Sequence, residues 1–521
     1  MYCKSKAAIA VEKEGDSAPP WTGPVIGRET ALLRESLQSV LNENAEQAKQ
    51  QQFFDGAKGA SNRYRRHASN DLTARYARRR MRVLMQLPRL ERRPELDALR
   101  GLFLAWMTLT HLPTHFSDFV NSPAGFVSSA EGFVFVSALL VGRLYFRELA
   151  RDAAGVRNRL WKRSLKIYGY HLVMLALVFT VAAAFAVHTH KAAISNLLDF
   201  YLAHPFVAII GSVLLLYCPP LLDILPMYVT FLFLTPVLLS AALRFGWRKI
   251  LFLSGCIWLL AQFGLRDLVH NWVVHLTHLQ IPIQETGAFN LFAWQAVWTA
   301  GLWVGARGAV RREAFGDPPA WLAAASCALC LFFVGIRWGW LGPHLTWQAL
   351  DIQLDKWQIG PLRVINLITF SIVVYWLRRH LVKFIAVEPF LTLGKASLRV
   401  FCTHLLFVFV GLGLLVRDVG EDVGAPLEQL HGVAAILLVA ATFTVLILVA
   451  SDEVRKRRKR NNNRQTAEMA GSASPAPPPQ SGADDDRRVP VRAFGGETAL
   501  PASLRSGEQL PAGLSAVEDS R

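Results

Sequence analysis

The segment ELDALRGLFLAWMTLTHL, residues 95–112, is apolar over roughly the length of one membrane-spanning helix and carries two notable ionisable side chains. Arg100 and His111 are eleven positions apart, and eleven steps of 100° come to about three full turns. Both side chains therefore lie on one face, roughly 16 Å apart along the axis. Because a central Arg costs about 2.5 to 3.5 kcal/mol in a membrane, such groups usually face a protein interior or a wet cavity. The segment predicts a membrane helix with a candidate reaction path along one side.

The composition is that of a membrane protein. Hydrophobic residues make up 52% of the 521 positions and charged residues 18%. The apolar residues gather into blocks of roughly 17 to 23, long enough to cross a bilayer core about 30 Å thick. The predicted fold class is therefore all-α, a polytopic membrane protein with about ten transmembrane helices. The expected spans are 97–116, 126–146, 165–187, 225–243, 250–265, 287–305, 320–336, 362–377, 397–416 and 432–450.

The charges between these spans predict the orientation of the chain. One alternate set of loops holds sixteen Lys and Arg and the other set holds five. Because basic loops stay on the cytoplasmic side, both termini are expected in the cytosol, N-in and C-in. The net charge of +17 is then largely a topology signal that also attracts membrane lipids, and no nucleic-acid partner is expected.

The chain divides into three regions. Residues 1–90 are expected to be a cytosolic N-terminal extension, partly disordered, with a short amphipathic helix at 28–48. Residues 91–452 form the integral membrane domain. Residues 453–521 are expected to be a disordered cytosolic tail, because their few large apolar side chains cannot offset the chain entropy lost on folding.

Several site classes have no anchor in this sequence. It contains no GxSxG, HExxH or GxxxxGK motif, so serine hydrolase, zincin and P-loop readings are not supported. Cys327 and Cys330 have CxxC spacing inside an apolar run, which favours helix packing over a metal or redox site. No metal site is predicted.

Ionisable residues near His111 extend the candidate site. His115 follows His111 at i+4, and we expect it to continue the same stripe on a helix that reaches residue 116. Arg100 either pairs with Asp97 or extends to the membrane interface. Glu131, on the second apolar segment, is expected opposite His111, where it would either orient a base or form a structural hydrogen bond.

A basic cluster follows the second segment in RNRLWKRSLKIYGYH, residues 157–171. Part of this charge follows from topology. So dense a group could also bind an anionic cofactor that carries phosphates.

Four blocks of sequence, in order, resemble a known family. They are RRPELDALRGLFLAWMTLTHL (92–112), AEGFVFVSALLVGRLY (130–145), LDILPMYVTFLFLTPVLL (222–239) and LGKASLRVFCTH (393–404). Together they resemble the acyltransferase-3 superfamily and, within it, the OpgC branch, whose members are associated with succinylation of osmoregulated periplasmic glucans. The resemblance covers roughly 90–450. Two positions depart from the family pattern: Ala138 stands where Gly is frequent, and Gly169 where Pro is frequent.

The resemblance implies an enzyme and roles for named residues. It implies an O-acyltransferase that uses acyl-CoA, for example succinyl-CoA, as co-substrate without a tightly bound cofactor, and a periplasmic glucan or related polysaccharide as acceptor. His111 would be the essential catalytic residue and Arg100 its motif partner. Glu131 stays among the candidate catalytic residues because of its place on the second apolar segment, and not because of the resemblance. His404 matches a recurring late histidine. The residues implied to bind acyl-CoA are Arg159, Lys162, Arg163 and Lys166.

Two other classes remain open from the sequence. A polytopic transporter or flippase would also bury Arg, His and Glu, although no inverted repeat is visible. A noncatalytic component of a glucan-synthesis complex is the third reading.

Overall fold

The computed structural model describes residue 84 and residues 93–311, 314–340, 342, 350–415 and 429–472. Within these residues the secondary structure is helical, and the β contacts are two isolated bridges, Thr114–Leu430 and Ala124–Val127. The all-α prediction is confirmed for this part of the chain. The helix expected at 28–48, the rest of the N-terminal extension before Leu84 and the tail beyond 472 lie outside the described residues.

The first half of the described chain contains membrane-length helices and short connecting ones. They are α1 (Pro94–His111), α2 (Phe116–Val120), α3 (Ser129–Leu149), α4 (Ala153–Leu177), α5 (Ala183–Thr189), α6 (Ala192–Ser195), α7 (Asp199–Ala203), α8 (Pro205–Val213) and α9 (Ile224–Phe245). A π-helix, Val178–Ala182, joins α4 to α5 without a break.

The second half also contains both long and short helices. Its helices are α10 (Trp247–Gln262), α11 (Leu265–Thr277), α12 (Leu291–Val310), α13 (Ala320–Arg337), α14 (Asp351–Leu354), α15 (Pro361–Trp376), α16 (Arg378–Ile385), α17 (Phe390–Lys395), α18 (Ser397–Val410) and α19 (Gly432–Ser472). A 3₁₀-helix, Ile283–Thr286, precedes α12, and a π-helix, Gly411–Leu415, follows α18.

Among the described helices, five are long and apolar enough to cross a membrane: α3, α4 with its continuation through α5, α9, α13 and α19. Two bent pairs bring the number to seven if each pair is one span: α10 with α11, bent by 79°, and α15 with α16, bent by 81°. The described part of the chain is therefore all-α and is compatible with a membrane protein. A helix overlaps each of the ten expected spans, but the count of ten and the orientation stay predictions.

Glycines let the central helices approach closely. A Cβ on Gly142 of α3 would collide with the backbone of Leu302 in α12, and one on Gly305 with the backbone of Leu139 in α3. Ala138 lies against Gly301 of α12, so the small residue missing from α3 is supplied by its neighbour. The departure at Ala138 therefore leaves the close packing of α3 on α12 intact.

A second close crossing holds α1 against α17. A Cβ on Gly101 would meet the carbonyl oxygen of Phe390, and one on Gly394 would meet the carbonyl oxygen of Asp97. The two glycines thus face each other across the crossing. This contact fixes α1, which carries Arg100 and His111, against the segment that leads into α18.

Helix α4 begins at Ala153, earlier than the expected span at 165, because Asp152 caps it by accepting a hydrogen bond from Gly155 N at 2.7 Å. The basic residues 157–166 therefore lie on a helix and not in a loop. Ser164 donates a hydrogen bond to the carbonyl of Val229 at 2.9 Å and docks α4 on α9. At Gly169 the helix continues, and no atom lies near enough to restrict a Cβ there.

The tail expected to be disordered from residue 453 is helical through Ser472, so that expectation is wrong for 453–472. Two i,i+4 ion pairs stabilise the helix beyond its apolar part: Lys456 with Asp452 and Arg457 with Glu453, each at 2.7 Å. The described residues up to Arg460 belong to one compact unit, and a second unit begins at Asn461.

Candidate active site

His111 is the last residue of α1, and the chain turns immediately after it. Leu112 is extended, with φ −66° and ψ 135°, because Pro113 disfavours helical backbone in the residue before it. His115 therefore does not continue the stripe on α1, and that expectation is wrong. Its ring instead stacks on His431, with centroids 5.2 Å apart.

His111 meets a second histidine from the other end of the sequence. His111 Nδ1 lies 3.2 Å from His404 Nε2 of α18, and the two rings are nearly parallel at 12° with centroids 5.5 Å apart. His404 is fully buried, whereas His111 is partly exposed. The imidazole of His111 can therefore contact a ligand, and the buried imidazole of His404 can hold that of His111 in place.

The surroundings of His404 favour one proton arrangement. His404 Nδ1 is buried and makes no hydrogen bond of good geometry among the described residues, and the carbonyl groups of Val400 and Phe401, one turn back on α18, are its nearest acceptors. A proton on Nδ1 faces these carbonyls and leaves Nε2 as an acceptor. His111 then donates from Nδ1, so its Nε2 lone pair is free, as a general base requires.

Glu131 does not pair with His111, contrary to the expectation. Its Oε1 accepts a hydrogen bond from Arg363 Nε of α15 at 2.6 Å, and Oε2 accepts one from the backbone N–H of Ser128 at 2.9 Å. Both side chains of the ion pair are almost fully buried. Arg363 also donates to the carbonyl of Leu354 at 3.0 Å. An arginine binds a carboxylate through stronger, charge-assisted hydrogen bonds than a neutral imidazole does. This explains why Glu131 pairs with Arg363 and not with His111.

Arg100 lies at the other end of α1, among aromatic residues. Its guanidinium stands 5.4 Å from the ring centroid of Phe133, and its Nε has no hydrogen-bond partner among the described residues. Asp97, Tyr228 and Arg163 are within electrostatic range. Arg100 is thus a cation inside the bundle and not a side chain that extends freely to the interface.

The four residues predicted to bind acyl-CoA differ in their surroundings. They are Arg159, Lys162, Arg163 and Lys166. Arg159 is already paired, with Glu148 at 2.9 Å and Asp152 at 3.7 Å. Lys162 and Lys166 are exposed, and Arg163 is half-buried and within electrostatic range of Arg100. The structure therefore brings Arg163, and not Arg159, towards the interior cation of α1.

Sequence reasoning missed the part that α18 and α19 play at this end of the bundle. The carboxylate of Glu453, only 3% exposed, pairs with Arg399 at 3.0 Å and with Arg457 at 2.7 Å. Lys166 of α4 is within electrostatic range of Glu453, and Tyr170 interacts with Arg399. The basic run at 455–460 was the sequence signal for these ion pairs, but from the sequence alone it indicated only the orientation of the chain.

Most of the membrane domain matches a known protein family. The sequence model of the family described as OpgC protein matches residues 92–451, which include α1, α3, α15 and α18. No curated protein sequence matches the chain. No solved structure matches it either. On the strength of a match over most of its length, the chain belongs to the OpgC protein family.

Proposed function

We propose that this protein is a membrane-bound O-acyltransferase of the acyltransferase-3 type. It moves an acyl group, succinyl by preference, from cytosolic acyl-CoA to hydroxyls of a periplasmic glucan or related polysaccharide. Membership of the OpgC protein family supports a glucan as the molecule that is modified. The pairing of His111 with His404 carries the chemical proposal, because it leaves a basic nitrogen free at the partly exposed end of α1.

The topology belongs to the same proposal. Ten spans with both termini in the cytosol, in the inner membrane, put the beginning of α1 and the basic residues of α4 on the cytosolic side. His111, at the end of α1, then lies towards the periplasm. Donor and acceptor approach from opposite sides and meet beside one helix.

In the proposed reaction His111 Nε2 takes the proton of a sugar hydroxyl as its oxygen attacks the thioester carbonyl. A C–O bond forms and the carbonyl electrons move onto oxygen. When the tetrahedral intermediate collapses, the C–S bond breaks, and the departing thiolate of coenzyme A recovers the proton from the imidazolium. General-base catalysis of this kind contributes about 10²- to 10⁴-fold. His404 is a positioning residue, since it acts through His111.

Arg100 lies roughly 16 Å from His111 along α1, too far to touch the same carbonyl. Its role in the proposal is therefore on the donor path. Arg163, Lys162 and Lys166 bind the phosphates of acyl-CoA, and Arg100 guides the remainder of the donor into the bundle. Arg159 contributes less because Glu148 and Asp152 already neutralise it. Glu131 supports the site through Arg363.

The test uses the purified full-length protein in lipid nanodiscs with acyl-CoA and a glucan. We expect release of free coenzyme A and a matching mass increase of the glucan, and loss of both in His111→Ala at normal abundance and unfolding temperature. Full activity of His111→Ala would reject the mechanism. Transfer of glucan across vesicle membranes without acyl-CoA would instead support a flippase.

A further inference from the structure

The loop between α14 and α15 is held unusually tightly. Nearly every backbone carbonyl in it accepts a hydrogen bond, several of them from side chains of other helices. The donors are Arg363 to Leu354 O, Gly360 N to Asp355 O, Asn290 N and Trp294 Nε1 to Trp357 O, Gln262 to Gln358 O, and Trp258 Nε1 to Ile359 O. The conformation of this loop is therefore imposed by α10, α12 and α15.

One residue of the loop is strained. Ile359 has φ +50°, in the left-handed region, where a β-branched residue is a genuine outlier. Such a conformation persists only where the surrounding bonds over-determine it, and it is most frequent at functional sites. The bonds to Trp357, Gln358 and Ile359 provide that constraint. The strained backbone therefore indicates that the loop holds a side chain in a functional position.

The loop carries Lys356 beside the Glu131–Arg363 pair, because Arg363 also donates a hydrogen bond to Leu354 O at 3.0 Å. Lys356 is within electrostatic range of His111, Glu131 and Asp223, and it forms no ion pair with any residue in the described part of the chain. Glu131 is already engaged by Arg363. The ammonium group is thus partly enclosed, near the candidate base, and keeps its hydrogen-bond donors.

Asp223 supplies the matching acceptor. It precedes α9, and its Oδ2 accepts a hydrogen bond from Ala288 N at 3.0 Å, while the backbone N–H groups of Asp223 and Ile224 also interact with the carboxylate. A carboxylate has about four lone-pair sites, so it can also accept a hydrogen bond from a ligand. Burial raises the pKa of Asp223 to about 6 and lowers the pKa of Lys356. Both groups are therefore partly removed from water, where hydrogen bonds to a ligand are stronger.

An aromatic surface adjoins these two groups. The ring centroid of Trp357 is 4.7 Å from Lys356 Nζ, and Trp357 is 42% exposed. Phe289 supports the ring edge to face, with centroids 5.4 Å apart at 82°. A donor, an acceptor and an apolar ring face together suit a sugar, which presents hydroxyls along its edge and C–H groups on its face.

We propose that Lys356, Asp223 and Trp357 form the acceptor subsite, which binds a glucose unit and aligns one hydroxyl with His111. This rests on the proposed function for the identity of the acceptor. The phosphate-bearing donor is assigned elsewhere, to the Arg100 end of α1, where the cations of α4 lie. A neutral glucose oligomer also fits the site better than a nucleotide would, because Asp223 would repel phosphate.

The subsite is tested by direct binding. A linear glucose oligosaccharide is titrated, without acyl-CoA, into the full-length protein in nanodiscs and followed by saturation-transfer NMR. Lys356→Met and Asp223→Asn should each weaken binding roughly tenfold to a hundredfold, since each removes a hydrogen bond to or from a charged group. Lys356→Arg should retain part of the affinity. The matched control is Asp351→Asn, an exposed carboxylate on α14, which should bind as the wild type does.

Two outcomes overturn the subsite: a wild-type protein that does not bind the oligosaccharide, and Lys356→Met and Asp223→Asn variants that bind it normally. Unfolding temperatures identify misfolded variants. If Lys356→Met is misfolded, Lys356→Gln is used in its place. In kinetic assays the same variants should raise KM for the glucan and leave KM for acyl-CoA unchanged. If the wild type binds the oligosaccharide but transfers no acyl group, the proposed function fails while the subsite stands.

Discussion

His111 Nδ1 and His404 Nε2 lie 3.2 Å apart although 293 positions separate the two residues in the chain. The partner of the candidate base is thus an imidazole and not a carboxylate. A neutral partner fixes the orientation and the tautomer of His111 but does little to stabilise an imidazolium. The site is therefore suited to a base that holds a proton only briefly, between the hydroxyl and the leaving thiolate.

Replacement of His404 should separate orientation from packing. His404→Leu keeps the buried volume approximately but removes the acceptor, and we expect kcat to fall about 10- to 100-fold, as for other residues that orient a functional side chain. His404→Gln offers an amide oxygen to His111 Nδ1 and should recover part of the rate. Equal losses of kcat in the two variants would mean that His404 only packs.

Removing one partner of the Glu131–Arg363 pair should destabilise the protein, and removing both should restore much of the stability. Glu131→Ala leaves Arg363 buried without its partner and should cost about 3 to 5 kcal/mol of unfolding free energy. The double variant Glu131→Leu, Arg363→Met removes both charges and should recover much of this loss. Unfolding in detergent measures both effects. A double variant that is stable but wholly inactive would show that one of the two side chains acts on the substrate.

Arginines on the same helix should differ in their effect on donor binding. Arg163→Gln should raise KM for acyl-CoA several-fold, because Arg163 is within electrostatic range of Arg100. Arg159→Gln should change KM less, since Glu148 and Asp152 already neutralise that side chain. Steady-state kinetics on correctly inserted protein compares them. A larger effect at Arg159 would place the donor phosphates nearer the start of α4 than we propose.

Glycine substitutions should test the crossing of α1 and α17. Gly101→Ala places a Cβ against the carbonyl oxygen of Phe390 and should lower both abundance and activity, because backbone atoms cannot move aside. Gly169→Ala, in the interior of α4 with open space around it, should be neutral or stabilise the helix by about 0.5 to 1 kcal/mol. Abundance in membranes and the unfolding temperature measure the contrast. A tolerated Gly101→Ala would show that the crossing can separate at little cost.

Reporter fusions test the ten-span orientation. Reporters within 188–224 and 337–361 should be exposed on the periplasmic side, and reporters at either terminus should be cytosolic, because basic residues concentrate in the alternate loops. A periplasmic C-terminal reporter would contradict an even number of spans.

Apolar periodicity was sufficient to locate the long helices, because burial in lipid leaves a continuous signal over a whole span. It also singled out Arg100 and His111, since a charge in an apolar run is conspicuous. It could not find the partners of these residues. Arg363 is a single basic residue near the start of an apolar segment, and only the folded bundle brings it to Glu131.

The His115 expectation was wrong for a local reason that the sequence did contain. Pro113 stands two residues before it, and the constraint that proline places on the preceding residue ends α1 at His111. The residues of the proposed acceptor subsite had no such signal. Lys356 is an ordinary loop lysine until the bonds from three helices fix the backbone that carries it.

The π-helix between α4 and α5 also changes how this span must be aligned with others. One extra residue in a helix advances everything after it by about 100°. Residues before Val178 and after Ala182 therefore belong to two different angular frames, although the axis is continuous. A homologous chain one residue shorter here would keep the same two ends of the span but would turn a different set of side chains towards its neighbours.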